Sequence, residues 1–437
     1  MSDQVEKYFQ LSANLEPNRV LEPDSPLNVD TRNARGEFSF HLIYRTLGVN
    51  PETLQLQNPQ DRRYLLFTGH IGCGKSTELR RLKQKLHKPE AYYVILFDAT
   101  DELDINNLQY VDVLLACAQK LCAAMELENL PMDAVYLDRL YNWFAHQVIT
   151  RMEDKSLASE LATGGNMTLA LPLIGSLFAK MTTAIRFNAS YKEELRREVR
   201  NSFSEFAAAC NALIAKATDL LKENGRGKSL LFIIDGTDRL NSENTHHFFV
   251  ENVHPLQQVH ANFLYGAPIH VQFETNDLQQ RYSAVYRLPM IKLVNQDGTP
   301  SDTNARATLR EMVYRRVPRD FFDNEESVDF LIDHCGGHPR HLVYLLFLTW
   351  QNARRYTLDR AAAEKAVRSM ASEFRRILDA KDYALIRRID EQKEEPERKE
   401  LVKLFKILAL LEYNDYWWRS HPIVRTLPGY VRDATPS

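Results

Sequence analysis

Apolar and polar positions divide this chain into stretches of different period. Three short runs, at 64–67, 92–97 and 230–234, are apolar at every position rather than at alternate ones. Such runs read as strands buried on both faces, the pattern of a parallel sheet. Helical spacing follows the first two: Leu79, Leu82 and Leu86, then Val111, Leu114, Leu115, Ala118 and Leu121. Strand–helix–strand–helix order predicts a parallel sheet with helices on both faces. Further strands are predicted at 269–273, ending in Glu274-Thr275-Asn276, and at 288–293.

Residues 123–228 interrupt the alternation. Within them, 167–178 is nearly uncharged, contains Pro172 and Gly175, and is too short to span a bilayer. It reads either as an exposed oligomer, partner or membrane-surface contact or as a loop packed on its own domain. A long helix is predicted from 191 to 223, where Val199, Phe203, Phe206, Cys210, Leu213, Ala217 and Leu220 form a heptad seam. A helical hairpin inside the insertion suits so short a seam better than an intermolecular coiled coil.

From 303 the pattern is helical. One helix carries Leu309, Met312 and Val313 with Arg310, Arg315 and Arg316. The next stops at Gly336-Gly337, and a third starts with Pro339 in its first turn and runs through Val343, Leu345, Leu346 and Leu348. The tail, 372–437, reads as helix, charged helix and helix, then a hairpin with Asn414-Asp415 at its turn. Three helices and a hairpin make a winged helix-turn-helix, which either reads DNA or serves as a packing module. Residues 1–59 are a polar arm, and within it Pro17, Pro23 and Pro26 exclude a regular helix over 16–26. The predicted organisation is therefore arm 1–59, core 60–300 with its helical insertion at 123–228, helical lid 301–371 and winged helix 372–437.

The 437 residues suffice for two or three domains. A formal net charge of -3 leaves no global basic field to attract nucleic acid. The five cysteines (Cys73, Cys117, Cys122, Cys210 and Cys335) are scattered, odd in number and without metal spacing. That usage fits a reducing compartment, so a cytoplasmic location is expected. The start of the chain has no basic, apolar leader, and no run reaches the roughly 20 apolar residues of a membrane span.

Candidate chemistry centres on Gly69-His70-Ile71-Gly72-Cys73-Gly74-Lys75-Ser76-Thr77, which fits G-x-x-x-x-G-K-[ST] between an apolar run and an amphipathic helix. Glycines let consecutive backbone N–H groups face anionic oxygens, and the helix N-terminus adds its positive end. In this pattern Gly69, Gly72, Cys73, Gly74 and Thr77 cradle phosphates, Lys75 reaches the β- and γ-phosphates, and Ser76 holds Mg²⁺. Run 230–234 ends in Asp235, the acid expected to orient water on that metal. Asp238 is a candidate for polarising the attacking water, or else a helix N-cap. Asn276, then Thr275, are candidates for the γ-phosphate, or the segment is a plain turn. Arg287, Arg315 and Arg316 are either arginine fingers acting across a subunit boundary or solvated surface. Arg35, Phe38 and Tyr44 lie beside an adenine or belong to a surface arm. His338 and Arg340 stand at a helix start where a nucleotide would lie.

The constellation resembles the AAA+ and STAND ATPases over roughly 60–350, the insertion excepted. Asp235-Gly236-Thr237-Asp238-Arg239 is similar to the STAND form of the Walker B segment, and Gly337-His338-Pro339 to that family's G-x-P lid motif, whose proline abuts adenine. The following winged helix is similar to that of STAND proteins and origin-recognition ATPases. The resemblance implies an α/β P-loop NTPase fold with lid and winged helix, ATP and Mg²⁺ as ligands, ATP hydrolysis and homo-oligomerisation. It implies an antiviral defence role in bacteria. The effector domain and sensor repeats usual in STAND proteins have no counterpart here, which suggests a separate effector or sensor protein. Arg239 stands where a glutamate is expected after Asp238, which puts the catalytic carboxylate in doubt. An ATP-requiring, DNA-binding initiator or loader and a non-hydrolysing scaffold are the other expectations.

Overall fold

The computed structural model describes residues 2–36, 38–59, 62–132, 137, 140, 142–143, 171–301, 304–391, 398–414 and 417–431. Its main elements run α1 (Ser2–Gln10), β1 (Tyr64–Gly69), α2 (Lys75–Leu86), β2 (Tyr92–Asp98), α3 (Tyr110–Leu127), α4 (Leu171–Phe187), α5 (Ala189–Asn201) and α6 (Phe203–Glu223). There follow β3 (Ser229–Asp235), β4 (Asn262–Pro268), β5 (Ala284–Arg287), α7 (Ala305–Tyr314), α8 (Glu325–His334), α9 (Pro339–Asn352), α10 (Arg360–Ile377), α11 (Ala380–Asp390), α12 (Arg398–Lys406), β6 (Leu410–Glu412) and β7 (Trp418–Ser420). Two compact units result. One gathers 1–39, 69–78 and 287–437, the other 40–68 and 79–286.

The second unit is an α/β layer structure on a parallel sheet of order β2-β3-β4-β1-β5. Leu65, Leu66, Phe67 and 230–234 are buried on both faces, as their unbroken apolarity requires. Asp98 and Asp235 stand opposite each other at the tips of the paired strands β2 and β3. The strand between β3 and β1 is β4, whose residues are all buried. The strand expected at 269–273 does not form: its residues close a helical turn, Val271–Glu274, after β4 has ended at Pro268. Ile269, His270 and Val271 are all buried, so the apolar character of the segment reflects packing in the unit, not a sheet position.

The insertion packs inside this unit. Ile174, Leu177, Phe178, Met181 and Ile185 of α4 are buried in the core with Leu114, Leu121 and Met125 of α3. Residues 171–178 are therefore not an exposed contact loop. They form a helix with Pro172 in its first turn, where the missing N–H costs nothing. Residues 167–170 lie outside those described. The single helix expected over 191–223 is two, α5 and α6, separated at Ser202. The seam residues Val199, Phe206, Cys210, Leu213 and Ala217 are buried in the same core, which accounts for their heptad spacing without a second chain.

A buried ion pair pins α5 to α3: Arg196 donates to both oxygens of Asp112 through Nε (2.9 Å) and Nη2, and both side chains are fully buried. Burial raises the Asp112 carboxyl, and the guanidinium opposes that rise. Removing one partner strands the other charge in low dielectric. Arg196→Ala is expected to lower stability by about 3–5 kcal/mol, read from the urea midpoint.

In the first unit, the segment 288–293 is irregular and joins no sheet. Its N–H groups serve three neighbours: Met290 donates to Glu412 (3.1 Å), Ile291 to Gly337 (3.2 Å) and Lys292 to Ala34 (2.8 Å). The strand predicted there is thus a strap. Gly337, at φ +70°, has the Ile291 carbonyl oxygen only 1.9 Å from where a Cβ would stand, so only glycine fits. Helices α10, α11 and α12 precede the antiparallel hairpin β6–β7, in which Leu410 faces Ser420. Residues 415–416, in the expected hairpin turn, and 392–397, in the charged run, lie outside those described.

Candidate nucleotide site

Strand β1 gives way at Gly69 to a turn, and the chain re-enters helix at Lys75. Gly72 (φ +81°) and Gly74 (φ +107°) take the left-handed backbone that lets a loop curl around a small anion. Lys75 is 3% exposed, and its Nζ donates to the carbonyls of Gly69 (2.8 Å) and His70 (2.9 Å). The ammonium is held over the loop's own mouth, ready to exchange carbonyl dipoles for a stronger anionic acceptor. Ser76 and Thr77 follow in the first turn of α2, half-buried.

Three groups from distant sequence close on this loop within the same unit. Arg35, 1% exposed, donates from Nη2 to Cys73 O (2.7 Å), from Nη1 to Pro289 O and from Nε to Thr31 Oγ1 (3.1 Å). His338 donates from Nε2 to Ile71 O (2.9 Å), while its Nδ1 accepts from His341 N (3.1 Å) and so caps α9. Those two bonds fix the neutral Nε2–H tautomer. Burial, with His341 and His70 nearby, drives the His338 pKa well below its ordinary value. Arg340 lies over Gly72: its Cβ and Nε would stand 2.8 Å from a Cβ placed there. Pro339 begins α9 beside them. The lid residues named from sequence and the loop therefore share one unit. His70 was not singled out, yet its Nε2 accepts from Glu412 N (2.9 Å) and ties the loop to the C-terminal hairpin.

In the second unit, β3 presents Asp235, 1% exposed, at its tip. Its Oδ1 accepts from Gly236 N (2.9 Å), and Arg80 Nη1 lies 3.5 Å from Oδ2. In the parallel sheet, β1 and β3 end at the same edge, with β4 between them. Gly236 (φ +80°) then turns the chain into the short helix Thr237–Arg239, which holds Asp238 at 8% exposure. The next helix is capped by Asn241, whose side chain accepts from Asn244 N (2.8 Å), so Asp238 is not its N-cap. Ser76 in the first unit and Asp235 in the second each carry a hard oxygen donor, the type Mg²⁺ prefers.

Other candidates are placed elsewhere. Thr275 and Asn276 lie past the helical turn, not on a strand tip, and Thr275 Oγ1 bonds Asp277. The three proposed arginine fingers are engaged within the chain. Arg316, 7% exposed, donates to Leu27 O (3.2 Å) and Met312 O (3.0 Å). Arg315 donates to Glu311 (2.6 Å), and Arg287 stands 4.0 Å from Glu412. Tyr44 is buried in the second unit. Among the described residues no helix is long and apolar enough to cross a membrane.

No protein-family model matches the chain, and no curated protein matches it in sequence. Solved structures that resemble it include Cdc6p from Pyrobaculum aerophilum, at 11% identity and TM-score 0.38, covering 94% of each chain. Another is the Aeropyrum pernix Orc1 protein in complex with DNA, at 13% identity and TM-score 0.36, covering 91% of this chain and 81% of that one. A third is the Thermotoga maritima RuvB Holliday junction branch migration motor, at 12% identity and TM-score 0.34, covering 90% and 92%. At such scores the likeness says nothing about activity, which must be read from this chain's own residues.

Proposed function

We propose that the protein is an ATP- and Mg²⁺-binding ATPase whose nucleotide state controls its assembly with itself or with a separate effector. One observation carries the reading: between a buried strand and a helix stands a glycine loop with left-handed Gly72 and Gly74, and a buried Lys75 is aimed at its mouth. The loop amides and Lys75 neutralise the phosphates and Asp238 orients water, while Ser76 and Asp235 are the residues that would hold the metal. A bound Mg²⁺ would supply charge neutralisation to the phosphates. The lid residues His338, Pro339 and Arg340 couple nucleotide to shape. A switch needs contacts that differ between its two states, and the γ-phosphate is the group that supplies them.

Phosphate release by the purified chain, with and without DNA and with candidate effectors, tests the proposal, and no release under any condition rejects the enzyme. Asp238→Ala is expected to slow turnover by about 100-fold while ATP affinity stays within about 3-fold. Equal loss of both would make Asp238 structural. A second reading, a DNA-binding initiator or loader, is favoured by the three helices and hairpin at the C-terminus. It expects DNA to bind through that module and to raise turnover. The defence role and the separate effector follow from the motif resemblance, and co-purification of the wild type but not Lys75→Ala with an effector tests them.

A further inference from the structure

Peptide groups of the phosphate loop are held from behind by residues that no loop pattern contains. Each is a trans peptide, in which the carbonyl of one residue and the N–H of the next point in opposite directions. Whatever fixes the carbonyl therefore aims the following N–H. Arg35 fixes the Cys73 carbonyl, which aims Gly74 N–H. His338 fixes the Ile71 carbonyl, which aims Gly72 N–H. These are the two residues whose left-handed φ curls the loop. Arg35 is itself held, because its other two donor groups are spent on Thr31 and Pro289.

We infer that Arg35 and His338 are positioning residues that pre-orient the Gly74 and Gly72 amides toward bound phosphate. This rests on the nucleotide reading above. A glycine loop without such anchors samples many peptide orientations and must lose that entropy on binding, whereas a loop already held has little to lose. The ligand class is a di- or triphosphate, and the base plays no part in the effect. Because one anchor comes from the N-terminal arm and the other from the first residue ahead of α9, displacement of either segment would loosen the phosphate cradle without touching the ligand.

The test compares Mg²⁺-ATP with inorganic tripolyphosphate by calorimetry on the full chain. Arg35→Met is expected to weaken both ligands by the same factor, about 10- to 30-fold, and Arg35→Lys, which keeps one donor, by about 3-fold. A loss for ATP with tripolyphosphate unchanged would place Arg35 at the base and overturn the inference. Unchanged affinity for both would overturn it too, while loss of both ligands in Lys75→Ala would leave the nucleotide reading standing. If the wild type binds neither ligand, both fail together. Should Arg35→Met not fold, Arg35→Lys and Thr31→Val carry the same comparison, and an unaltered affinity in both variants rejects the role. For the lid anchor, His338→Gln retains a donor and is expected to stay within about 3-fold of wild type, and His338→Phe to fall about 10-fold. Equal affinities in these two reject it.

Discussion

Replacing Lys75 with alanine is expected to weaken ATP binding by about 100-fold and to reduce phosphate release to background. The residue is 3% exposed, and its ammonium spends two donors on Gly69 and His70 carbonyls at 2.8 and 2.9 Å. A triphosphate oxygen is a far better acceptor than a peptide carbonyl, and a charge-assisted bond in a desolvated loop is worth about 1.5–3 kcal/mol. The upper part of that range is the 100-fold expected. The substitution also has a folding effect, because two carbonyls lose their donor. A stability loss of about 1–3 kcal/mol should appear in thermal unfolding without ligand. Affinity is therefore to be measured well below the midpoint, by calorimetry or with a fluorescent ATP analogue. Unchanged affinity would remove the nucleotide site altogether.

The loop was legible in sequence because its signal is local. Gly69, Gly74, Lys75 and Ser76 have fixed spacing, and the flanking run 64–67 and Leu79, Leu82 and Leu86 have the periods of a buried strand and an amphipathic helix. Strands β2 and β3 were legible for the same reason. Strand β4 was not: it starts at Asn262 and contains Gly266 and Pro268, residues that count against a strand, yet all seven positions are buried in the sheet. The segment 171–178 misled in the opposite sense, since Pro172 and Gly175 suggest a loop while tertiary burial makes it a helix. Residues that act from a distance left no pattern. Arg35 reaches the carbonyl of a residue 38 positions away, and His70 is linked to one 342 positions away. A buried arginine or histidine gains its role only when folding gathers its acceptors. The arginine-finger candidates show the same limit: arginine in a sequence does not disclose that Leu27 and Met312 carbonyls already hold Arg316.

Acid should destabilise the first unit well before its carboxylates titrate. Four histidines gather there: His70, His338 and His421 are buried and His341 is half-buried. Three of the ring nitrogens act as acceptors of structural N–H groups. His70 Nε2 takes Glu412 N–H (2.9 Å), His338 Nδ1 takes that of His341 (3.1 Å), and His421 Nδ1 takes that of Ile423 (3.3 Å). Protonation would turn each acceptor into a donor facing a donor. His341 Nδ1 and His421 Nε2, 3.0 Å apart, already share a single proton. The charges that bear on the cluster, Lys75 on His70, Arg340 on His341 and Arg425 on His421, repel a further positive charge. Desolvation is the largest cause, and it pulls His70 and His341 down to about 3 and His338 and His421 well below 6.5. The sign follows: between pH 6.5 and about 3 the unfolded chain binds protons that the folded chain refuses, so stability is intact above 6.5 and falls with pH below it. At pH 5 His70 and His341 alone remove about 4 kcal/mol, a large part of the ~5–15 kcal/mol of a typical domain. Urea midpoints taken at pH 7.5, 6.5, 5.5 and 5 should show the slope. His341→Gln should remove about 2 kcal/mol of the drop, because one proton fewer is then refused by the folded state. A stability profile flat between pH 7.5 and 5, or one that His341→Gln leaves unaltered, would mean that these rings accept protons where they stand. The loop-to-hairpin bond through His70 would then be absent in solution.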